Sequence, residues 1–365
     1  MANAARPSPP FCPNPSCPFH QQGRPGWRYT SDGVHRRKRA PFWVRRYRCS
    51  RCGRRFCDQT FRTTYWLKRP DIQARVFVGL VACSGQRQLA RSLGVAHGTV
   101  ATHSSRLGRH CLLLHERTRP RGRLTEPICL DGFHSVEWSR YHPVAYHVVV
   151  GLHSHYFYGF TDSELRRSGS MSDSQKQLRA HFEARLGRPD PRSVEKQVAA
   201  VLRTVVQTPQ PFALHTDQHE DYPRAISRLP QHKVAHSTIS SRALRDRNNP
   251  LFPVNLLDLL LRHSQADHRR ATLSFPKRRQ GTIERLWVFL VWRNLHKWDS
   301  ENRPGRTPAM HLGLERSRAS IRRILQQRQF PSHGLLSPSW WGYYWRVTPT
   351  RRMREIRVHD PKYTR

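Results

Sequence analysis

Acidic residues are scarce in this chain. Its 365 residues include 25 Asp and Glu against 64 Lys and Arg, which gives a formal net charge of +39. A surplus of this size destabilises a compact state by self-repulsion unless a polyanion neutralises it, and nucleic acid is the usual polyanion. The scarcity therefore argues against a small neutral substrate or an acidic protein scaffold as the main partner of this surface.

A long uninterrupted apolar segment is also missing. The longest stretch without Asp, Glu, Lys or Arg runs from His142 to Thr161, about the length of a membrane span, but it contains four histidines. We interpret it as two buried strands. The beginning of the sequence, MANAARPSPPFCPNPSC, lacks the basic-then-apolar pattern of a secretory signal. We therefore expect a soluble, cytoplasmic protein whose cysteines are reduced.

The composition nevertheless supports a folded protein. Hydrophobic residues make up 37% of the chain and aromatic residues 10%, which is enough for a core and argues against disorder throughout. Length alone predicts about two to three domains. Shifts in composition divide the chain more finely, at 1–60, 61–118, 125–298 and 299–365. The last segment contains SWWGYYW, which we expect to close a core, with stacking on unpaired bases as the alternative.

The first segment carries two close pairs of cysteines. Cys12 and Cys17 bracket PNPS, and Cys49 and Cys52 bracket SR. Thiolates at such spacings on two turns can close a tetrahedral zinc site. We therefore predict Zn²⁺ here as the source of folding energy for residues 1–60, which cannot form a sufficient core alone. Cys57 and His20 are two further candidate ligands nearby. Three isolated cysteines are predicted to be core residues: Cys83, Cys111 and Cys129.

The second segment has the pattern of short helices. Residues 71–83 place apolar side chains at helical spacing, and QRQLARSLGV with TVATHSSRL indicates two helices joined by a turn at Gly94. Such a pair, flanked by Arg, is typical of a DNA-binding helix-turn-helix, although any helical hairpin would show the same periodicity. The second helix would present these side chains to a major groove: His97, Thr99, Thr102, His103 and Arg106.

The third segment places carboxylates beside apolar strands. Asp131 follows PICL and precedes two further strand patterns, which together predict an antiparallel meander. Two helical stretches follow, at about 174–186 and 192–207, and then PFALHTDQHEDY indicates a short apolar strand that ends in Asp217. Two carboxylates at such positions would hold divalent metal ions, which drive in-line attack at phosphodiesters. The alternative is that each Asp caps a turn.

In this order the motifs resemble those of a family. CPNPSC with YRCSRCG, QRQLARSLGV with TVATHSSRL, CLDGF, LHTDQHEDY and the stretch NPLFPVNLLDLLLRHSQADHRR are similar to a bacterial insertion-sequence transposase of the DDE type. The resemblance covers residues 12–298. It implies an α/β fold: a ribonuclease H-like catalytic domain preceded by a small zinc ribbon and an all-α helix-turn-helix. A bacterial, nucleoid-associated protein is also implied.

The family's third acid lies on a helix beside the two Asp, and two residues compete for that role. Asp258 follows Asp217 at a separation common in the family, and Arg262 lies one turn later, with His268 expected on nearly the same helical face. Glu284 has the expected carboxylate type but lies further on, on a helix whose apolar stripe also explains it as a core element. We favour Asp258 and keep Glu284 as the alternative.

The activity that the resemblance implies is Mg²⁺-dependent or Mn²⁺-dependent DNA cleavage followed by strand transfer. The partners would be element ends and target DNA, bound by a homodimer or higher oligomer. Phosphates near the metal would contact Arg262, His268, Arg269, Arg270 and the run PKRR. Two other functions remain open: a non-catalytic DNA-binding regulator, which would not need Asp131 and Asp217, and a structure-specific nuclease with the same core.

Overall fold

The computed structural model describes residues 8–38, 41–240, 242–269, 272–300 and 305–348. The strands within these ranges are β1 (Tyr29–Arg36), β2 (Trp43–Cys49), β3 (Arg55–Cys57), β4 (Ile128–Glu137), β5 (Ser139–Gly151), β6 (Phe157–Glu164), β7 (Phe212–Thr216) and β8 (Val234–Thr238). The α-helices are α1 (Gln73–Val81), α2 (Gln86–Ser92), α3 (His97–Thr118), α4 (Asp173–Leu186), α5 (Ser193–Val205), α6 (Asp221–Ser227), α7 (Phe252–Ser264), α8 (Arg279–Leu295), α9 (Pro308–His311), α10 (Ile321–Gln326) and α11 (Pro338–Trp345).

These elements form two units. The first contains the described residues up to Ala74 together with Ser320–Leu335, and the second contains Arg75–Ala319 and the described residues from Leu336 onward. Among the described residues, no helix is both long enough and apolar enough to span a bilayer. The charge-free stretch noted above instead contributes to β5 and β6, as predicted.

The first unit is a three-stranded antiparallel sheet with an aromatic core. The strands lie in the order β1-β2-β3. Phe11 and Phe56 pack with Phe61 and with Phe330, which comes from the C-terminal part of the chain. The Arg328 backbone N–H donates to the Phe61 carbonyl at 2.9 Å, which ties the two segments together. The core of residues 1–60 therefore includes side chains from outside that segment, namely Phe61 and Phe330.

The second unit contains a five-stranded mixed sheet in the order β6-β5-β4-β7-β8. β5 is antiparallel to β4 and to β6, whereas β7 is parallel to β4 and to β8. The strand order by sequence is thus 3-2-1-4-5 with only the second strand reversed, which is the ribonuclease H-like arrangement. The predicted fold class, the meander and the short strand before Asp217 are confirmed; β8 was not predicted.

Helices cover this sheet and bury its central strands. α5 packs against β5 and β6, α7 against β4 and β5, and α8 against β6. Val148 and Val149 at the centre of β5 are fully buried. The β-branched and aromatic residues of β5 and β6 explain why this sequence forms strands here. The sheet is therefore a rigid platform for side chains at its edge.

Residues 73–118 form three helices. α2 and α3 are separated by a short turn in which Gly94 adopts φ 59°, a conformation that glycine adopts without steric cost. α3 has 22 residues, so it is much longer than the short helix predicted from the sequence. It continues because its later residues pack along α8, where Gly108 permits a close approach: a Cβ at that position would lie 2.5 Å from the Glu284 carbonyl oxygen.

The aromatic cluster in α11 closes the core of the second unit. Trp340 is fully buried, and its Nε1 donates to the Phe160 carbonyl at 3.0 Å. Gly159 makes room for it, since a Cβ there would lie 2.5 Å from Trp340 Cζ2. The Tyr343 hydroxyl donates to Asp162 at 2.5 Å. The core interpretation of this cluster is confirmed, although Trp341 is 51% exposed.

Candidate active site and zinc site

Asp131 and Asp217 occupy equivalent positions on two parallel strands. Ile128 of β4 pairs with Leu214 of β7, and Cys129 pairs with His215. Continuing this register by two more residues brings Asp131 opposite Asp217, which directly follows β7. Because side chains at one register position point to the same face of a sheet, the two carboxylates lie side by side. The parallel pairing of β4 and β7 therefore assembles the first part of the site.

The electrostatics of Asp131 reflect this proximity. Burial raises the pKa of its carboxyl group, the Gly132 N–H that donates to Oδ1 at 2.6 Å lowers it, and the charge of Asp217 raises it again. Asp217 itself accepts the His219 N–H at 3.0 Å. Two neighbouring carboxylates are a common feature of cation sites, because the cation relieves their repulsion.

Asp258 joins this pair from α7. Val254, Leu257 and Leu261 form the buried side of the helix, and α7 packs against β4 and β5. Burial and, to a smaller extent, the charge of Asp131 raise the pKa of Asp258 and Arg262 one turn later lowers it, and the net result is a pKa of about 8. Its Oδ1 is buried without a hydrogen-bond partner. A buried oxygen of this kind is costly unless a ligand satisfies it.

Glu284 lies in a different environment. Its side chain is 4% exposed in the interface of α8 with α3, where the Ser105 hydroxyl donates to it at 3.0 Å. Gln280 Nε2 donates at 3.3 Å, and Arg346 Nε lies 3.0 Å from the same carboxylate oxygen. Glu284 is thus already paired with protein groups, whereas the buried Oδ1 of Asp258 has no hydrogen-bond partner.

The carboxylates fit a hard cation such as Mg²⁺. Mg²⁺ prefers oxygen ligands and is usually held by one or two carboxylates, with waters and substrate phosphates completing its shell. Among the described residues, the cysteine group is the only set of three or more candidate ligand atoms that all lie within 4.8 Å of one another. The three Asp carboxylates are therefore not grouped as closely as the four sulfurs.

Several basic groups surround these carboxylates, and the sequence identified only some of them. The charges of His134 and Arg245 lower the pKa of Asp131, and neither residue was predicted. Arg262 places its guanidinium 4.6 Å from the centre of the Phe133 ring and donates to the His268 carbonyl at 3.4 Å. Arg269 is exposed.

Two of the predicted phosphate contacts have a different outcome. Arg270 lies outside the described residues. α7 ends at Ser264, so His268 does not continue its face; it is 3% exposed and packs against Phe133, and the expectation that it binds phosphate is wrong.

The α3 residues predicted to read DNA fall into two groups. His97 and Thr102 are exposed near the N-terminus of the helix, and Thr99 and Arg106 are half-buried. His103 is 1% exposed, so its predicted place at a DNA surface is wrong. It lies on the buried side of α3, which already includes Val100 one turn earlier.

The four paired cysteines converge as predicted. The sulfurs of Cys12, Cys17, Cys49 and Cys52 all lie within 4.8 Å of one another, which fits a tetrahedral Zn²⁺ site. Gly53 follows the second pair with φ 68°, and its N–H donates to the Cys49 carbonyl at 2.9 Å, which closes the expected turn.

The environment of Cys49 favours the thiolate form. Burial alone would raise the pKa of Cys49, but the Cys52 backbone N–H, the Trp27 indole and the Arg51 backbone N–H lower it to about 6. The Trp27 indole nitrogen lies 3.5 Å from the sulfur. Trp27 was not identified from the sequence, because nothing in its spacing links it to the cysteines.

The other candidate ligands do not join the four sulfurs. His20 uses both ring nitrogens, one with the Cys12 carbonyl at 2.7 Å and the other with the Ser332 hydroxyl at 2.5 Å. Cys57 contacts Thr60 instead. Cys111 and Cys129 are core residues as predicted, whereas Cys83 is only partly buried.

Comparison with known proteins adds two distant structural matches. No family model and no curated protein matches the chain. A solved intasome of simian T-cell lymphotropic virus, in complex with PP2A regulatory subunit B56 gamma, is 15% identical, with a TM-score of 0.25 over 67% of this chain and 72% of that one. The integrase catalytic core domain of HTLV-2, in complex with magnesium, is 15% identical, with a TM-score of 0.21 over 52% and 95%. Scores this low assign no function.

Asp258→Asn is expected to raise the melting temperature of the protein in the absence of Mg²⁺ and Mn²⁺, and the increase should be larger at higher pH. The folded wild type keeps a proton on Asp258 up to about pH 8, whereas the unfolded chain releases it above about pH 4, so wild-type stability falls between these values. The amide does not titrate. Thermal melts from about pH 5 to about pH 9, without a chelator so that zinc is kept, test this. A difference in melting temperature that is the same at every pH would contradict it.

Proposed function

We propose that this protein is a DNA transposase of the insertion-sequence type, which binds element ends, cleaves DNA and transfers the cut strand to a target. The observation that carries the proposal is the cluster of three carboxylates on a ribonuclease H-like sheet: Asp131 and Asp217 in register on parallel strands, and Asp258 facing them from α7. The net charge of +39 supplies the affinity for a polyanion that such a reaction needs.

The catalytic step is assigned to this cluster. Asp131, Asp217 and Asp258 would hold Mg²⁺ or Mn²⁺, which when bound supplies Lewis acidity at a phosphodiester. Arg262 and Arg245 lie beside the carboxylates, where they would hold a phosphate against them and offset the negative charge that develops. Burial around Asp258 limits the access of water, which strengthens these interactions.

The remaining elements are assigned to DNA binding and assembly. The exposed residues near the start of α3 would contact one DNA segment, and the basic strands beside the zinc site would contact another. We assign these roles to segments with the boundaries 1–60, 61–118, 125–298 and 299–365. Joining two element ends requires two active sites, so we propose that a homodimer or a higher oligomer acts on DNA.

Comparing Asp258→Asn with Glu284→Gln tests the assignment of the third acid. We expect Asp258→Asn to reduce Mg²⁺-dependent cleavage about a hundredfold or more, because it removes a ligand. Glu284→Gln loses the ion pair with Arg346, so it should lower the melting temperature while the folded protein still cleaves. Loss of cleavage in Glu284→Gln alone, measured at a temperature where both variants are folded, would reverse the assignment.

The same assay separates the transposase from the two other functions. A labelled duplex with a cut end, incubated with Mg²⁺ and a second DNA, yields a joined product only if strand transfer occurs. Cleavage without joining would identify a nuclease. Binding without either reaction would identify a regulator, and the carboxylate cluster would then have no catalytic role.

A further inference from the structure

The far end of the β1–β2 hairpin exposes two adjacent aromatic side chains. Phe42 and Trp43 are each 58% exposed. Exposed aromatic groups that lie together mark a binding surface more often than isolated ones do. Base stacking was the alternative role considered for SWWGYYW. Because Trp340 of that segment is fully buried, the exposed rings of this hairpin are better placed to stack on a base.

The surroundings of these rings are strongly basic. Residues 29–49 contain seven Lys and Arg but a single acid, Asp32. Asp32 lies 3.4 Å from Arg55, so its charge is balanced within the same unit. The positive charge at the end of the hairpin is left for a partner, and the charge complementarity points to a polyanion.

The rings and the cations form one open groove. Arg36, Arg37, Lys38, Phe42 and Trp43 line it, and we call it the hairpin groove. Arg36 pairs with Trp43 across the strands and places its guanidinium 5.6 Å from the indole ring. The Arg37 N–H donates to the Phe42 carbonyl at 2.7 Å, which fixes the two sides of the groove relative to each other.

We propose that the hairpin groove binds DNA with unpaired bases. A base would stack on Trp43 or Phe42, and the phosphates on either side of it would contact Arg37 and Lys38. Stacking on aromatic side chains tolerates every base but requires that the base is free of its own partner, so the groove would discriminate against intact duplex. This inference rests on the proposed function in one respect, because a cut end at which the two strands separate would supply such DNA.

The test compares two DNA probes with full-length, zinc-containing protein. Fluorescence anisotropy measures the affinity for a labelled oligothymidine strand and for a labelled duplex of the same length. Trp43→Ala is expected to weaken binding of the single strand about tenfold, the loss of one stacked base, and to change duplex binding less than about twofold. Trp43→Phe keeps a stacking surface and should restore most of the affinity.

Two controls make the result decisive. Trp341→Ala removes a 51% exposed tryptophan that lies outside the groove and should leave both affinities unchanged. Zinc content that matches wild type shows that Trp43→Ala is folded. An equal loss of affinity for both probes in Trp43→Ala, or no loss of affinity for the single strand, would overturn the proposal. The second result would favour a protein as the partner of the groove.

The outcome is independent of the proposed catalytic activity. Asp131→Asn should retain the preference for the single strand, since it alters the second unit only. If cleavage requires Asp131 while Trp43→Ala binds both probes normally, the groove inference fails and the proposed function stands. If the preference depends on Trp43 but no cleavage occurs, the proposed function fails and the groove inference stands.

Discussion

Asp131→Asn is expected to reduce Mg²⁺-dependent DNA cleavage on the order of a thousandfold, and Asp217→Asn by a similar factor. Each removes one of two carboxylates that lie in register on β4 and β7. Loss of a metal ligand costs several kcal/mol of transition-state stabilisation, and about 1.4 kcal/mol corresponds to a factor of ten in rate. Single-turnover cleavage of a labelled duplex, with enzyme in excess, is the measurement.

DNA binding provides the second readout for these variants. Removing a negative charge near a phosphate site should leave affinity for the duplex unchanged or raise it, so the loss appears in the rate and not in binding. Asp173→Asn is the matched control, since the Asp173 side chain is 90% exposed on α4. Cleavage at the wild-type rate in Asp131→Asn would exclude this cluster as the active site.

Cys49→Ser is expected to abolish zinc binding and to unfold the first unit. The four sulfurs that lie within 4.8 Å of one another would lose one ligand, and structural Zn²⁺ sites in small domains contribute about 10–16 kcal/mol of apparent binding free energy. The aromatic cluster around Phe11 and Phe56 is small and depends on the same cysteines for its boundary. We expect one equivalent of zinc in the wild type and none in the variant, measured by mass spectrometry of the dialysed protein.

Cys57→Ser is the control for this experiment. Cys57 lies beside Thr60 and outside the group of four, so its replacement should leave zinc content and the melting temperature of the first unit close to those of the wild type. Equal zinc in Cys49→Ser and the wild type would contradict the assignment. Equal loss in both cysteine variants would show that the site uses Cys57 after all.

Short sequence patterns predicted the features that depend on residues close together in the chain. The spacing of Cys12, Cys17, Cys49 and Cys52 was enough to predict that their sulfurs converge, because two close pairs need only a turn each. The strand patterns around Asp131 and Asp217 predicted the meander and β7. The parallel pairing that sets the two Asp side by side was not predicted, because it depends on strands that lie far apart in the sequence.

Contacts between distant segments explain what the sequence did not predict. The length of α3 depends on Gly108, a residue that weakens an isolated helix but here allows α8 to approach. The environment of Glu284 depends on Arg346, which lies far along the chain. His268 and His103 are buried by packing that periodicity cannot reveal. The charges of Arg245 and His134 act on Asp131, but no pattern in the sequence links either residue to Asp131.

The length of α3 has a consequence for how this protein would position bound DNA. Its first turn is exposed at His97, whereas its last turns are fixed in the second unit, where His115 Nε2 donates a hydrogen bond to the Tyr158 carbonyl of β6 at 2.9 Å. A helix of 22 residues is about 33 Å long, close to one turn of duplex DNA. If the first turn of α3 contacts DNA as proposed, the attachment of its last turns to β6 would hold that DNA in a fixed position relative to the sheet.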